Sequence, residues 1–405
     1  MKMTLLAAVV ATALTLSGCE AGPKSTAQPS SNTVQGDANA DNGSATTAAT
    51  TNAPWIDSNH NTHYRVLAKS LSHPWAVAAL PSGEYLVTLR EGRLLRIGAQ
   101  GEKTVIRGTP TVFAQGQGGL LDVILSPDFA TTRRIYLSFA EPGENDTAGT
   151  AVGTGILNGN TLDNFSVLYR QTPKLKGGMH FGSRLVIDKN GKLWISQGDR
   201  NQKELAQDLD VLQGKLVRIN TDGTVPSDNP FANGNGARRV IWSYGHRNMQ
   251  GMTMDPRTGK VWEVEHGPKG GDEINIPQAG KNYGWPVATY GNDYASGRPY
   301  PETKGSSMPG MQEPDFVWMK SPGVSGLAFF VGHPGHPWNN TLFTGALAEK
   351  ALIQLSLDGD KATEQDRLLT NEGWRIRDVR VTADGRVLVL TDEDSGQLIE
   401  IAPIR

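Results

Sequence analysis

A single cysteine stands in the 405-residue chain, so no internal disulfide can form and a disulfide-stapled small fold is excluded. No cysteine is available as nucleophile or zinc ligand, and His-Glu-x-x-His and Gly-x-Ser-x-Gly are both missing. Charge of one sign is missing too: 39 basic against 41 acidic side chains leave −2, no electrostatic reason for a nucleic acid or an acidic membrane surface as partner. Past the first twenty residues, no stretch keeps a long apolar period of 3.6. What is plentiful is glycine, 47 residues against a typical usage of ~7 %, together with 23 prolines, which points to a turn-rich β protein. The length suits two or three average domains or one large closed β domain.

The amino terminus reads as an address. Met1-Lys2-Met3 precedes an apolar run from Leu5 to Leu16, too short to span a bilayer but suited to a secretory signal over residues 1–18. Cys19 directly after Leu16-Ser17-Gly18 resembles a bacterial lipobox, which implies acylation at Cys19 and a periplasmic protein anchored to a membrane. Residues 19–58 are mostly small and polar, with Val34 the one large aliphatic before Trp55-Ile56, and read as a flexible tether. His60 and His63 at its end are a possible metal pair or solvated linker.

From residue 59 to 405 one unit recurs: a Pro/Asp/Gly turn, then a short β-prone run. The turns fall at Leu80-Pro81-Ser82-Gly83, Ser126-Pro127-Asp128, Asp188-Lys189-Asn190-Gly191, Asp255-Pro256-Arg257-Thr258-Gly259, Pro337-Trp338-Asn339-Asn340 and Ala383-Asp384-Gly385. Six such units predict an all-β, six-bladed β-propeller with four-stranded antiparallel blades, a pair of sandwiches being the alternative. The longest loop, around 280–325, is rich in Gly, Pro and Tyr, and a loop of that size in a compact domain is usually functional.

Several loops carry groups unsuited to mere solvation. Gly177-Gly178-Met179-His180 puts an imidazole in open space before a strand, either a general base or a turn histidine. Gly245-His246-Arg247-Asn248 offers a planar cation beside a neutral amide, or a plain surface turn. His266-Gly267-Pro268 through Asp272-Glu273, with Tyr283 and Asp293 beyond, has the carbonyls and carboxylates that hard cations prefer, or is a solvated acidic loop. Arg375 and Arg377 alternate around Ile376, so a strand puts both on one side, where an anion between them would relieve their repulsion. Gly116-Gln117-Gly118-Gly119 lacks the context of a phosphate or dinucleotide loop.

Taken in this order, the motifs resemble the soluble, pyrroloquinoline-quinone-dependent glucose and aldose-sugar dehydrogenases, across nearly the whole chain from Pro74-Trp75 onward. Gln213-Gly214-Lys215-Leu216-Val217-Arg218, Gly270-Gly271-Asp272-Glu273-Ile274-Asn275, Asn282-Tyr283-Gly284-Trp285-Pro286 and Arg375-Ile376-Arg377-Asp378 carry the resemblance. It implies oxidation of aldoses at C1 to lactones, with pyrroloquinoline quinone (PQQ) and Ca2+ as cofactors and an external electron acceptor. His180 is similar to the family's base and Arg247 to the group that offsets charge on the quinone oxygen. Gln117, Asn248, Arg375, Arg377 and Thr391 match cofactor contacts, and Asp199 matches a sugar-side contact. The carbonyls of Gly267 and Pro268 resemble ligands of the catalytic calcium, while Glu273, Tyr283, Asp293 and Glu313 resemble ligands of a second calcium. The chain departs from the family twice. Met179 stands where glucose-oxidising members place Asp, so His180 needs another partner, and Ala348 stands where several place a Lys, unless Lys350 reaches in. Propeller lactonases and non-catalytic binding propellers are the rival readings.

Overall fold

The computed structural model describes residues 53–404; the signal segment, Cys19 and the tether as far as residue 52 lie outside the described residues. Six antiparallel sheets follow one another along the chain as the blades of a β-propeller. Blade one runs Pro74–Ala79, Tyr85–Leu89, Leu94–Ile97, Lys103–Ile106, and blade two Leu120–Leu125, Arg134–Pro142, Thr147–Asn158, Thr161–Arg170. Blade three is Gly182–Ile187, Lys192–Gln197, Lys215–Asn220, Ile241–Tyr244, and blade four Met249–Met254, Val261–Glu265, Asp272–Asn275, Phe316–Trp318. Blade five is Val324–Phe330, Thr341–Ala346, Ala351–Asp358, Lys361–Leu368. Blade six joins the two ends of the described chain: Ile376–Val381, Val387–Thr391 and Gly396–Pro403 are completed by Thr62–Leu71, which pairs with the last strand from Thr62↔Pro403 to Leu71↔Gly396.

The six predicted turns are the connections between the first and second strand of each blade, one per blade. At the third, Asp188 Oδ1 accepts the backbone N–H of Asn190 (2.8 Å) and Lys192 (3.0 Å), and Gly191 takes φ +69°, a conformation open to glycine without strain. The first strands of successive blades touch in a closed ring. Each therefore begins at one face of the disc and ends at its turn on the other, which gathers the segments before the first strands, and those after the second strands, on a single face. Apolar clusters lie between neighbouring blades, such as Leu86, Leu137 and Phe181 across blades one to three and Trp262, Leu342 and Ile353 across four and five. The cores are thus radial, as stacked sheets require.

The tether was expected to reach residue 58, but Ile56–Asp57 already pairs with the blade-six strand, Ile56 opposite Tyr64. Aromatic stacking supports this pairing: the Trp55 ring lies 4.2 Å from that of His63, with the Arg65 guanidinium 4.9 Å from the same indole. His60 Nδ1 sits 2.7 Å from Asp366.

Charged side chains, not apolar ones, fill the middle of the ring. Arg184 of blade three lies 2.9 Å from Asp378 of blade six and 3.6 Å from Asp122 of blade two. Arg380 lies 2.5 Å from Asp122 and 3.1 Å from Asp378. Backbone N–H groups of Leu185 and Val77 donate to the same two carboxylates at 2.8 and 3.1 Å, and the Arg184 guanidinium lies 4.0 Å from the Trp75 ring. Four blades are thereby tied across the axis.

Candidate active site

On the face where first strands begin, a cavity of about 850 Å³ opens. Its walls come from five of the six blades and the segments that lead into them: Trp75 and Arg90 of blade one, Gln117, Asn248 and Gln250, His266 with Lys269, Lys320, Ala348, and Arg375, Arg377 and Asp392 of blade six. Five of the lining side chains, Arg90, Lys269, Lys320, Arg375 and Arg377, are basic and two, Asp272 and Asp392, are acidic. An anionic ligand is what such a wall attracts.

His180 occupies the segment before blade three with φ +52°, a left-handed conformation that the neighbouring glycines accommodate. Its backbone N–H donates to Gln117 Oε1 at 2.8 Å, so the base loop and the Gln117 loop are tied. The ring is 3 % exposed, and Nδ1 lies 2.7 Å from Asp199 Oδ1. An ionised carboxylate only accepts, so Nδ1 carries the proton and the Nε2 lone pair is free. Burial lowers the imidazole's pKa below its ordinary value, and Asp199, which pulls upward, does not cancel that; Arg247 and Arg200 add to the lowering. A neutral imidazole at neutral pH is a competent base.

Asp199 answers the question raised by Met179. Expected on the sugar side, it is 1 % exposed and both its oxygens are occupied within the protein: Oδ1 by His180 and by the N–H of Asn201 (2.7 Å), Oδ2 by the indole N–H of Trp285 (2.8 Å). Burial would raise its pKa, but the hydrogen bond and charge of His180, with Arg247 and Trp285, hold it below the usual carboxylate range. Met179 itself is 45 % exposed. The sequence offered one signal for this pairing, the Gly198-Asp199-Arg200 turn after a strand, but no spacing that pointed to His180.

Arg247 and Asn248 precede blade four. The N–H of Arg247 donates to Glu265 Oε2 at 2.6 Å, its Nη1 donates to the carbonyl of His266 at 3.3 Å, and its guanidinium lies 5.3 Å from the Trp285 ring. Its buried Nε has no protein partner. Asn248 Oδ1 accepts the N–H of Gly182 at 3.1 Å, linking this loop to the start of blade three.

The arginine pair converges as the strand alternation predicts, but the anion between the two is the protein's own. Asp392 Oδ2 lies 2.7 Å from Arg377 Nη2 and 3.3 Å from Arg375 Nη2. Burial opposes that charge, yet Arg377, Arg90 and Arg375 hold the carboxyl far below its ordinary value. Arg377 Nη1 also donates to Gln250 Oε1 at 2.9 Å, and its buried Nε is left unpartnered. Thr391 stands away from this wall: it is fully buried and its hydroxyl accepts the N–H of Gln397 at 2.9 Å. Lys350 is exposed, while Ala348 lines the cavity.

Beside the cavity, Gly267, Glu265, Glu273, Tyr283 and Trp285 enclose a small void. Only glycine fits at 267, where a Cβ would come within 2.2 Å of the Gly271 carbonyl. Glu263 is buried and Glu273 half-buried, and desolvation together with Glu265 pushes both carboxyls well above their ordinary values. Glu263 Oε2 and Asn275 Oδ1 lack protein partners. Oxygen donors crowded without a cation suit a hard divalent ion. Glu313 is near enough to act electrostatically on Glu273, and its carboxylate accepts the Tyr290 hydroxyl at 2.9 Å. Asp293 instead accepts the N–H of Ser296 at 2.8 Å, closing its own turn. Pro268 packs on Gly291 in the adjoining loop.

A six-bladed propeller whose loops bring a base, guanidiniums and carbonyl oxygens to one face defines an enzyme class. The profile of the Glucose / Sorbosone dehydrogenase family matches residues 71–400, and the chain belongs to that family of oxidoreductases. It is 53 % identical over 342 residues to the aldose sugar dehydrogenase YliI of Escherichia coli, covering 84 % of this chain and 92 % of that one. Quinoprotein glucose dehydrogenase B of Acinetobacter calcoaceticus is 28 % identical over 410 residues, 81 % of this chain and 85 % of its own. Among solved structures, the apo-form of the soluble Escherichia coli aldose sugar dehydrogenase superposes with a TM-score of 0.82 at 51 % identity, covering 84 % of this chain and 99 % of that one. The PQQ-bound form of the aldose sugar dehydrogenase from Streptomyces coelicolor gives 0.70 at 27 % identity, with 84 % and 98 % covered.

Proposed function

We propose that this protein oxidises aldose sugars at C1 to the corresponding lactones, with PQQ and calcium as cofactors and an external electron acceptor, as a lipoprotein acylated at Cys19 and held in the periplasm. The single observation that carries the reading is a basic cavity, lined by Arg377 with its unsatisfied guanidinium nitrogen, whose Gln117 wall is bonded to the loop of a base with a free Nε2. A tricarboxylate suits that donor set, and the crowded carboxylates around Glu273 suit calcium. Arg375, Arg377, Gln117 and Asn248 would hold the quinone; the carbonyls of Gly267 and Pro268 would hold one calcium, and Glu273 and Tyr283, with Glu313, a second. When bound, the quinone supplies the two-electron acceptor and the calcium polarises it.

The chain's own residues then have distinct tasks. His180 Nε2 takes the proton of the anomeric hydroxyl as hydride leaves C1, so the sugar loses one proton and one hydride and becomes the lactone. Asp199 keeps the Nδ1 proton in place and offsets the imidazolium charge. Arg247, held by Glu265 and by the Trp285 face, presents fixed positive charge to the negative charge that develops during hydride loss. Adding quinone and calcium to purified protein and following dye reduction with a panel of aldoses tests this. Activity is expected in the wild type and falls at least ~100-fold in His180→Ala; quinone binding without reduction by any aldose would overturn it.

A further inference from the structure

The insertion between the third and fourth strands of blade four, residues 276–315, delivers one side chain into the base machinery of blade three. Trp285 is 6 % exposed. Its indole N–H donates to Asp199 Oδ2 at 2.8 Å while Oδ1 faces His180 Nδ1 at 2.7 Å, so neither oxygen of that carboxylate is free to turn. Its ring face lies under the Arg247 guanidinium at 5.3 Å, and the Tyr300 ring meets it edge-on at 5.4 Å and 90°. The backbone of Trp285 is fixed as well: its N–H donates to the Gly245 carbonyl at 2.9 Å, and its carbonyl accepts Gln207 Nε2 at 2.7 Å. One residue of the insertion therefore touches both the Asp199 turn and the loop of Arg247.

We infer that Trp285 is a positioning residue for the proposed dehydrogenase, clamping Asp199 in the orientation that holds His180 with Nε2 toward the sugar and bracing Arg247 from below. The inference rests on the dehydrogenase reading for its catalytic meaning, though the clamp itself is a property of the protein without cofactor. A carboxylate with one oxygen on an indole and the other on an imidazole divides its negative charge between two donors. Removing the indole donor returns that charge to the imidazole and frees the carboxylate to rotate. The charged groups around the pair are Arg200 and Arg247 against His180, and more distantly Lys215 and Glu204 against Asp199. None of them can replace the neutral N–H donor on Oδ2.

The test is a double-mutant cycle on the full-length protein, Trp285→Phe and Asp199→Asn singly and together, read in two ways. Histidine Cε1 resonances, with the His180 signal assigned by its loss in His180→Asn, report the titration of the imidazole without cofactor or substrate. In Trp285→Phe the His180 midpoint is expected to rise by about half a unit or more, and with Asn at 199 the same change is expected to move it by less than about 0.2 unit. In the reconstituted enzyme, Trp285→Phe is expected to lower kcat/KM about tenfold alone and less than about twofold beside Asp199→Asn. Trp285→Tyr, which keeps a ring under Arg247 but misplaces the donor, is expected to shift the titration as Phe does. An unchanged His180 midpoint in both Trp285 variants, or equal shifts with Asp and with Asn at 199, overturns the clamp. If the wild type oxidises no aldose, the dehydrogenase reading falls while the resonance titration still decides the clamp.

Discussion

Two clusters of buried charge, one at the axis and one in blade four, are built on opposite terms. At the axis, Asp122 and Asp378 face Arg184 and Arg380, so each buried carboxylate has a guanidinium and a backbone N–H. In blade four, Glu263, Glu265 and Glu273 crowd together with His246 and Asn275 and have no lysine or arginine side chain among their polar contacts; the Arg247 backbone N–H and the Asn275 amide serve instead. The first cluster finds its counter-charges within the protein. The second is short of positive charge, and a divalent cation is the simplest remedy. A propeller thus uses one kind of buried charge to tie its blades and another to make a place for something it must collect.

Breaking the axial cluster should cost most. Arg184→Met leaves two buried aspartates without one of their partners, and about 3–5 kcal/mol of stability should vanish in denaturant unfolding. In the blade-four cluster pH is the lever. Carboxyls raised by burial bind protons more tightly when folded, so their contribution is greatest below the ordinary carboxylate pKa and is lost as pH rises through the raised values. Chelator-treated protein should therefore weaken as pH rises above the ordinary carboxylate range, and calcium at a hundred times its Kd should restore about 2.7 kcal/mol. Glu273→Gln should flatten that pH dependence and abolish the calcium response, both read by thermal melts. The smallest effect belongs to the cavity wall: Ala348→Lys, adding a cation where Lys350 does not reach, should tighten quinone binding about two- to fivefold, measured by titration.

The blades were legible because turn chemistry is local. Asp188-Lys189-Asn190-Gly191 needs only its own backbone to be recognised, and all six such turns fall between first and second strands. Strand alternation likewise put Arg375 and Arg377 on one side. What escaped was pairing between the loops that flank the first two strands of a blade. Asp392 sits between the arginines from the far end of the next strand, and Asp199 reaches His180 across a turn, contacts that no spacing announces. Thr391 and Asp199 carry functional residue types, yet the structure buries both with their oxygens engaged inside the protein. Trp285 resembled a family signature in sequence, but its hydrogen bond to another blade gives it a task that the motif alone did not state.

The seam in blade six has a temporal side. Because Thr62–Leu71 can find its partner only when Gly396–Pro403 exists, the earliest strand of the ring waits for the latest one. A chain delivered end first, whether from a ribosome or through a pore, would hold five finished sheets in an open arc. The disc, and with it the mouth that needs every sector, would come into being in a single late step.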